Sequence, residues 1–384
     1  MFLRYIKLFY WLFHNHNEYT KTNELNESYI DKLCESISEC GSVCIKFTQW
    51  ITPILELTYV EENDLFSKER KKPMWLIKLE SFYENCTIHD LDYTKQVYKE
   101  AFHSDLETDY EIIDVIASGS IGQVYKLKQG DKFYSMKIVH PYVQYEIGFI
   151  RRFLRCLFYM STTRKIITNL LPFDLLKFVN SFEKQCNMIN EANNLLQFYH
   201  TYKDNEFIVI PTLYKVHEKI LLMSYEEGIQ YSQADINEYQ KYKVVNLFHL
   251  FARNNTIINF NHGDLHNGNW KIRPYKNTYQ LLIYDFGFCW SVLPEHYYVI
   301  DISTNCFETP PEDGIDIDDV CKMMNYCIGN LDEKIDNRIV YEYLEEELKQ
   351  VNTGVFTPIQ LYQITANFCK LHSILIDPIM IQFI

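Results

Sequence analysis

In the run His262-Gly263-Asp264-Leu265-His266-Asn267-Gly268-Asn269 a carboxylate precedes a carboxamide in the order H-x-D-x-x-x-x-N. Phosphoryl transfer asks for such a pair: the acid orients or deprotonates the acceptor, and the amide oxygen helps to hold a metal ion. Asp285-Phe286-Gly287 follows after a stretch long enough for two short strands, which would return a second carboxylate to the same metal site. A glycine- and histidine-rich turn by itself is ordinary loop chemistry; the succession of both histidines, Asp264, Asn269 and Asp285 sets this one apart. Asp264 is therefore the candidate acid-base residue, and Asn269 and Asp285 are the candidate metal ligands. Upstream, Ala117, Ser118, Gly119, Ser120, Ile121, Gly122, Gln123 and Val124 place glycines where a backbone could approach phosphates closely, although such a cluster also makes a plain hairpin turn. Lys137 lies in Tyr134-Ser135-Met136-Lys137-Ile138-Val139, and a lysine inside a strand is commonly a solvated edge residue. Its distance from Gly122 instead suits an ammonium that reaches nucleotide phosphates, and Glu191 is the candidate acid that keeps it charged and aimed.

These residues need elements to position them. From Leu25 to about Tyr110 apolar residues recur at helical spacing, as in Ile30, Leu33 and Ile37 and later Leu76, Leu79 and Phe82, with Pro73 at a helix start or break. Three short strands are predicted at Glu111 to Ala117, Gly122 to Lys128 and Lys132 to Val139, the last two joined by the turn Gln129-Gly130-Asp131. Helical pattern returns at Phe149 to Phe158 and Phe173 to Tyr199. Phe207 to Pro211 and Lys219 to Tyr225 read as two further strands. The remainder is helical apart from the polar patch at 261–269 and a hairpin of Trp270 to Ile272 with Tyr279 to Tyr284. The sequence thus divides into a helical extension (1–108), a strand-rich lobe (109–228) and a helical lobe (229–384), without internal repeats.

The chain has 384 residues, 47% hydrophobic, with a net charge of −14. So acidic a surface argues against nucleic acid as a partner, since Lys68 to Lys72 is the one short basic cluster. The 11 cysteines include no C-x-x-C pair, which favours free thiols in a reducing, intracellular compartment; the closest group, Cys34, Cys40 and Cys44, reads as thiols buried on helices. No apolar stretch approaches the ~20 residues of a spanning helix. Met1 to Phe13 is apolar apart from Arg4 and Lys7, and it reads as a packed or interfacial helix that offers a peripheral membrane contact. A mitochondrial presequence is the other reading; the segment is poor in Arg and Ser, so the cytoplasm is the first expectation and the mitochondrion the second.

Set on the kinase form G-x-G-x-x-G-x-V, Gly119, Gly122 and Val124 fill matching places while Ala117 stands for the first glycine. With Lys137, Glu191, the 262–269 run and Asp285-Phe286-Gly287 in order, the chain resembles the protein-kinase-like superfamily. The run Ser120-Ile121-Gly122-Gln123-Val124 is similar to the loop A-A-A-S-I-G-Q-V of the UbiB family of atypical kinases, also called ADCK or "activity of bc-one complex" kinases. Ile45-Lys46-Phe47-Thr48-Gln49 resembles that family's K-x-G-Q helix, with Thr48 in the glycine place, and Glu191-Ala192-Asn193-Asn194-Leu195 its E-A-x-N-L region. The likeness spans roughly residues 30 to 300, and the membrane helices at the C-terminus of bacterial members have no counterpart in it.

The resemblance implies an α+β, two-lobed protein-kinase-like fold with an N-terminal helical extension. It implies Mg-ATP as cofactor, held by the 117–124 loop, Lys137 and Glu191, with magnesium on Asn269 and Asp285. It makes Lys46 and Gln49, at i and i+3 of one helix, a lid over the nucleotide. Quinone or lipid metabolism becomes the expected setting, with a small molecule of that kind, or water, as acceptor. Gly263 replaces the arginine that pairs with a phosphorylated activation loop and no A-P-E follows Asp285, which disfavours peptide substrates. Two alternatives remain on these residues: a small-molecule kinase of aminoglycoside or choline type, which shares the H-G-D-x-H-x-G-N turn, and a nucleotide-binding pseudokinase scaffold.

Overall fold

The helical and alternating patterns resolve into an α+β fold in the computed structural model, which describes residues 2–22, 26–62, 73–83, 86, 88–170, 173–302, 317–328, 337–349, 358–372 and 374–378. The Lys68 to Lys72 cluster lies outside them. In chain order come α1 (Phe2–Thr22), α2 (Glu27–Cys40), α3 (Ser42–Glu62), α4 (Met74–Glu80), α5 (Leu91–Phe102) and α6 (Leu106–Asp109), then β1 (Glu111–Ser118), β2 (Gly122–Gln129) and β3 (Lys132–Val139). Next are α7 (Val143–Tyr159), α8 (Ser161–Leu170), α9 (Leu175–Gln185), α10 (Met188–Tyr202), β4 (Ile208–Val209), β5 (Leu213–His217), β6 (Ile220–Ser224) and α11 (Glu238–Ile257). The remaining elements are β7 (Asn261–His262), β8 (Trp270–Tyr275), β9 (Thr278–Ile283), β10 (Cys289–Trp290), α12 (Ile317–Ile328), α13 (Asn337–Leu348) and α14 (Pro358–His372).

The chain divides into two compact units. One comprises residues 1–53, 67–147 and 182–290; the other comprises 54–66, 148–181 and 291–384. In the first, an antiparallel sheet runs in the order β1-β2-β3-β6-β5, beside a three-stranded sheet β4-β9-β8 and the short pair β10-β7. In the second, α12, α13 and α14 contact one another, and Phe173 bridges to Ile376.

Strand alternation sorts the five-stranded sheet into two faces. On one, Tyr125, Leu127, Tyr134, Met136, Ile138, Ile220 and Leu222 form an apolar cluster with Val97 and Tyr98 of α5. Ser135 and Lys137 of β3 and Val124 of β2 fall on the opposite face and line a cavity. Register fixes this division, because Lys137 pairs with Val124 on one side and Leu221 on the other. A slip of one residue would exchange Lys137 for Met136.

Several elements differ from the sequence reading, which anticipated neither α8 nor the short strands β7 and β10. The expected helical run Phe173 to Tyr199 is two helices, broken at Cys186 and Asn187, where the Asn187 side chain caps α10 by accepting from the Ile189 N–H at 3.0 Å. Strand β5 was not anticipated; it lies at the sheet edge with a register shift between Leu213 and Lys215. The N-terminal stretch packs along one stripe. Tyr5 and Leu8 are buried, Tyr5 Oη donates to the Cys40 carbonyl, and Lys7 pairs with Glu39 at 3.0 Å. Its other stripe, with Leu3, Ile6, Tyr10 and Phe13, is exposed. At the start of α3, Glu146 of α7 accepts the Ser42 N–H at 2.8 Å, and Gly41 takes a φ of 93° beneath that carboxylate, where a Cβ would collide with it.

The dry face of the sheet carries much of the first unit's stability. Leu127 is fully buried within it, so Leu127→Ala should cost about 2–5 kcal/mol. Urea unfolding checks this, and a loss below 1 kcal/mol would mean that the cavity collapses freely.

Candidate active site

The cavity holds about 370 Å³, a size suited to a small-molecule ligand, and it lies wholly within the first unit. Its wall gathers Ala117 to Gly122, Val124, Lys137, Glu191, Asp264, Asn269 and Asp285, together with Lys46 and Gln49. Of the residues expected from sequence to bind ligand, Gln123 is the exception. It is fully buried with its side chain on the opposite face of the sheet, where Nε2 donates to Tyr125 Oη at 2.7 Å and Oε1 accepts the His89 N–H at 2.9 Å. Period-two alternation explains this, since Val124 faces the cavity and its neighbour must face away.

Lys137 is the centre of the polar wall. Its ammonium donates to both Glu191 oxygens at 3.0 and 2.9 Å and to Asp285 Oδ1 at 2.8 Å. Burial works against the ammonium, but the charges of Asp285 and Glu191 outweigh it and hold the Lys137 pKa above that of an ordinary lysine. The two carboxylates respond in opposite directions. Burial pushes Glu191 up to about 7, with Lys137 opposing and the Asp285 charge adding to the rise. Asp285 is lowered: burial would raise it, but Lys137 beside it prevails. Asp285 itself sits at φ 54°, a left-handed conformation uncommon outside glycine and often found at functional sites. Gly287 follows, and a Cβ there would stand 3.1 Å from Asp285 Oδ1 and 3.3 Å from Glu191 Oε2.

The 262–269 loop is fixed against the same segment. Burial lowers the His262 pKa, so the ring is neutral: Nε2–H donates to the Tyr284 carbonyl at 3.0 Å and Nδ1 accepts the Asp264 N–H at 3.2 Å. Asn269 donates from Nδ2 to the Asp264 carbonyl at 2.8 Å, and its own carbonyl accepts the Tyr284 N–H at 2.9 Å. This leaves the Asn269 Oδ1 as the amide oxygen available to a cation. Asn269 and Asp285 offer oxygen donors only, which suits magnesium, a hard ion that keeps waters and takes phosphate oxygens to complete its shell. Among the described residues no group of three or more His, Cys, Asp or Glu is placed to hold a metal, so a softer ion with a full protein cage finds no match there.

Lys46 reaches Asp264, the candidate acid-base residue. Its Nζ donates to Asp264 Oδ2 at 2.6 Å, and although burial would raise the Asp264 pKa, the Lys46 charge brings it below the ordinary carboxylate value. Gln49, one turn on, accepts from the Ser120 hydroxyl at 3.1 Å and donates to the Phe82 carbonyl at 2.7 Å. Thr48, where the resemblance expects glycine, is buried and turns its hydroxyl back to the Cys44 carbonyl at 3.0 Å. Sequence reasoning passed over Gln185, Tyr225, Glu226 and Lys271, which also line the cavity, and Asn194, whose Nδ2 donates to the Phe286 carbonyl at 2.8 Å. Asn194 alone carried a signal: it is the Asn of the E-A-x-N-L likeness and stands three residues after Glu191 on the same helical face.

Removing the central ammonium strands two carboxylates, so Lys137→Ala should cost about 3–5 kcal/mol. The deficit should grow between pH 5.5 and pH 8. A carboxylate whose native pKa exceeds its unfolded value binds a proton in the native state that the unfolded chain has released, so stability falls as pH rises towards the native pKa. Without Lys137 the Glu191 value moves higher still. Urea unfolding of both proteins at the two pH values measures the difference, and a deficit independent of pH would contradict the pairing.

Residues 82–305, more than half of the chain, match the family model of the ABC1 atypical kinase-like domain. Protein ACTIVITY OF BC1 COMPLEX KINASE 3, chloroplastic, from Arabidopsis thaliana, is 27% identical over 199 residues, 47% of this chain and 27% of that protein. A probable protein kinase UbiB from Yersinia pestis is 24% identical over 280 residues, 68% of this chain and 47% of that protein. The chain thus spans less than half the length of these curated relatives. The solved complex of Rv3197 with erythromycin from Mycobacterium tuberculosis aligns over 77% of this chain and 82% of that one, with 17% identity and a TM-score of 0.48. The chain belongs to the ABC1 family of atypical kinases.

Proposed function

We propose that the cavity binds Mg-ATP and that the chain transfers its terminal phosphoryl group to water or to a small molecule. The observation that carries this reading is the convergence of Lys137, Glu191, Asp285, Asp264 and Asn269 on one cavity, with Lys137 bonded to both acids. The 117–122 backbone and Lys137 bind phosphate oxygens, and Ile116, Val124, Met223 and Tyr225 offer apolar surface to the base. Asn269 and Asp285 hold magnesium, which would neutralise charge gathering on the transferred group. Asp264 orients the acceptor and takes its proton. Most of the acceleration then comes from positioning and preset charge. Membership of the family supports an isoprenoid-quinone or lipid setting for the acceptor, and the exposed stripe of α1 supports a peripheral membrane contact.

A second reading is a nucleotide-binding scaffold, favoured by the one observation that Lys46 already occupies Asp264. Thermal unfolding with ATP, with and without magnesium, tests binding: a ligand at 100 times its dissociation constant should add ~2.7 kcal/mol. No shift in Tm would overturn the nucleotide reading. ATP turnover then separates enzyme from scaffold. Asp264→Asn and Asp285→Asn should each lose most of the activity while remaining folded, and turnover unchanged in both would refute their roles. Lys46→Ala should change nucleotide affinity or turnover; a variant indistinguishable from the wild type would remove Lys46 from the site.

A further inference from the structure

Behind the glycine loop, on the face of the sheet away from the cavity, five side chains form a continuous chain of hydrogen bonds. His140 follows β3 and grips the loop twice: its backbone N–H donates to the Ile121 carbonyl at 2.9 Å, and its Nε2 lies 2.9 Å from the Gly119 carbonyl. Its Nδ1 is 2.7 Å from Nδ1 of His89, whose Nε2 is 2.9 Å from Thr94 Oγ1 on α5. Thr94 Oγ1 is 2.9 Å from Tyr125 Oη, which accepts from Gln123 Nε2 at 2.7 Å.

The direction of every proton in this chain follows from its end. A carbonyl only accepts, so His140 Nε2 carries the hydrogen. Burial, foremost, lowers the pKa of both rings, that of His89 to about 4, so both are neutral at pH 7. His140 Nδ1 is then bare and accepts from His89 Nδ1–H, which leaves His89 Nε2 to accept from Thr94 and Thr94 to accept from Tyr125. Each ring nitrogen and hydroxyl hydrogen along the route then has its partner. One imidazole tautomer is thereby imposed on each ring by residues of β2 and α5 that never touch the cavity.

The consequence reaches the cavity through the peptide plane. In a trans peptide the carbonyl of one residue and the N–H of the next point in opposite directions. Holding the Gly119 carbonyl against His140, which does not line the cavity, turns the Ser120 N–H the other way. Glycine at 119 has no Cβ to restrict its backbone, so the sequence itself does little to fix this peptide. A flip of this peptide would present an oxygen, not a hydrogen, to an anion in the cavity.

We infer that His140, with its tautomer set by His89 and the Thr94-Tyr125-Gln123 chain, is a positioning residue that keeps the 119–120 peptide with its N–H facing the phosphates. The inference rests on the nucleotide reading given above. Its test joins a readout on the unliganded protein to one with MgADP. Imidazole 15N shifts of the wild type should show Nε2–H on His140 and Nδ1–H on His89. In His140→Ala, amide hydrogen exchange should rise in peptides spanning 117–122 while β5 and α11 keep their protection, and the Kd for MgADP should rise roughly tenfold, the equivalent of ~1.4 kcal/mol. His140→Gln, whose amide N–H can still reach Gly119, should recover most of the affinity. The opposite tautomers, unchanged loop exchange in His140→Ala, or exchange raised throughout the unit would each overturn the positioning role. A wild type that binds MgADP as tightly as His140→Ala overturns that role alone, whereas a wild type that binds no MgADP overturns the nucleotide reading itself.

Discussion

Lys137 imposes a constraint that the rest of the first unit has to satisfy. An ammonium on a central strand, with its side chain buried, survives as a charge only where carboxylates meet it, and leaving it or its partners alone costs several kcal/mol. The two acids come from distant parts of the chain, Glu191 on α10 and Asp285 after β9. Three elements must therefore agree in position to within a hydrogen bond. The register of β3 between β2 and β6 aims Lys137 at the cavity. The Asn187 cap fixes where α10 begins, and so which way Glu191 points. The left-handed turn at Asp285, with glycine two places on, lets the second carboxylate approach closely.

That constraint also divides the two faces of the sheet by chemistry. The cavity face carries charge, with Lys46, Asp264, Lys137, Glu191 and Asp285 paired among themselves. The opposite face packs against α5; at its edge Lys215 is paired with Asp109, and behind the glycine loop its polar side chains, from Gln123 to His140, are neutral and bonded to one another. Charges without partners there would meet the full cost of desolvation, and hydroxyls, amides and neutral imidazoles avoid it. One strand, β2, serves both faces, with Val124 turned to the ligand side and Gln123 and Tyr125 turned to the packed side.

How much of this the sequence disclosed depended on whether a feature was local. The three strands from Glu111 to Val139 were legible because their alternation and the Gln129-Gly130-Asp131 turn are short-range signals. The family was legible because its motifs carry chemistry in a fixed order. Strand β5 was not, since Leu213-Tyr214-Lys215-Val216-His217 sits at an edge and its register shift breaks the alternation. The break between α9 and α10 contains neither glycine nor proline, and only the capping preference of Asn187 marked it. Gln123 was read as part of the ligand loop because it lies within the motif, although counting by twos from Val124 places it on the other face. His89, His140 and Thr94 come together only through tertiary packing, and no spacing in the sequence announces them.

The same distinction bears on Lys46. Its helix position alone suggests nothing more than a polar face, yet in the fold α3 is held at its start by Glu146 accepting the Ser42 N–H and along its length by Gln49 between Ser120 and the Phe82 carbonyl. Lys46 is thus carried to Asp264 by a helix anchored at separate points. An Asp264 with an ammonium at 2.6 Å is held charged and is a weak base, because a lowered pKa weakens its pull on an acceptor's proton. If Asp264 is the base of the proposed transfer, an acceptor that displaces Lys46 would both take its place and raise the basicity of Asp264. On that proposal, occupancy of the acceptor position and activation of Asp264 would be one event.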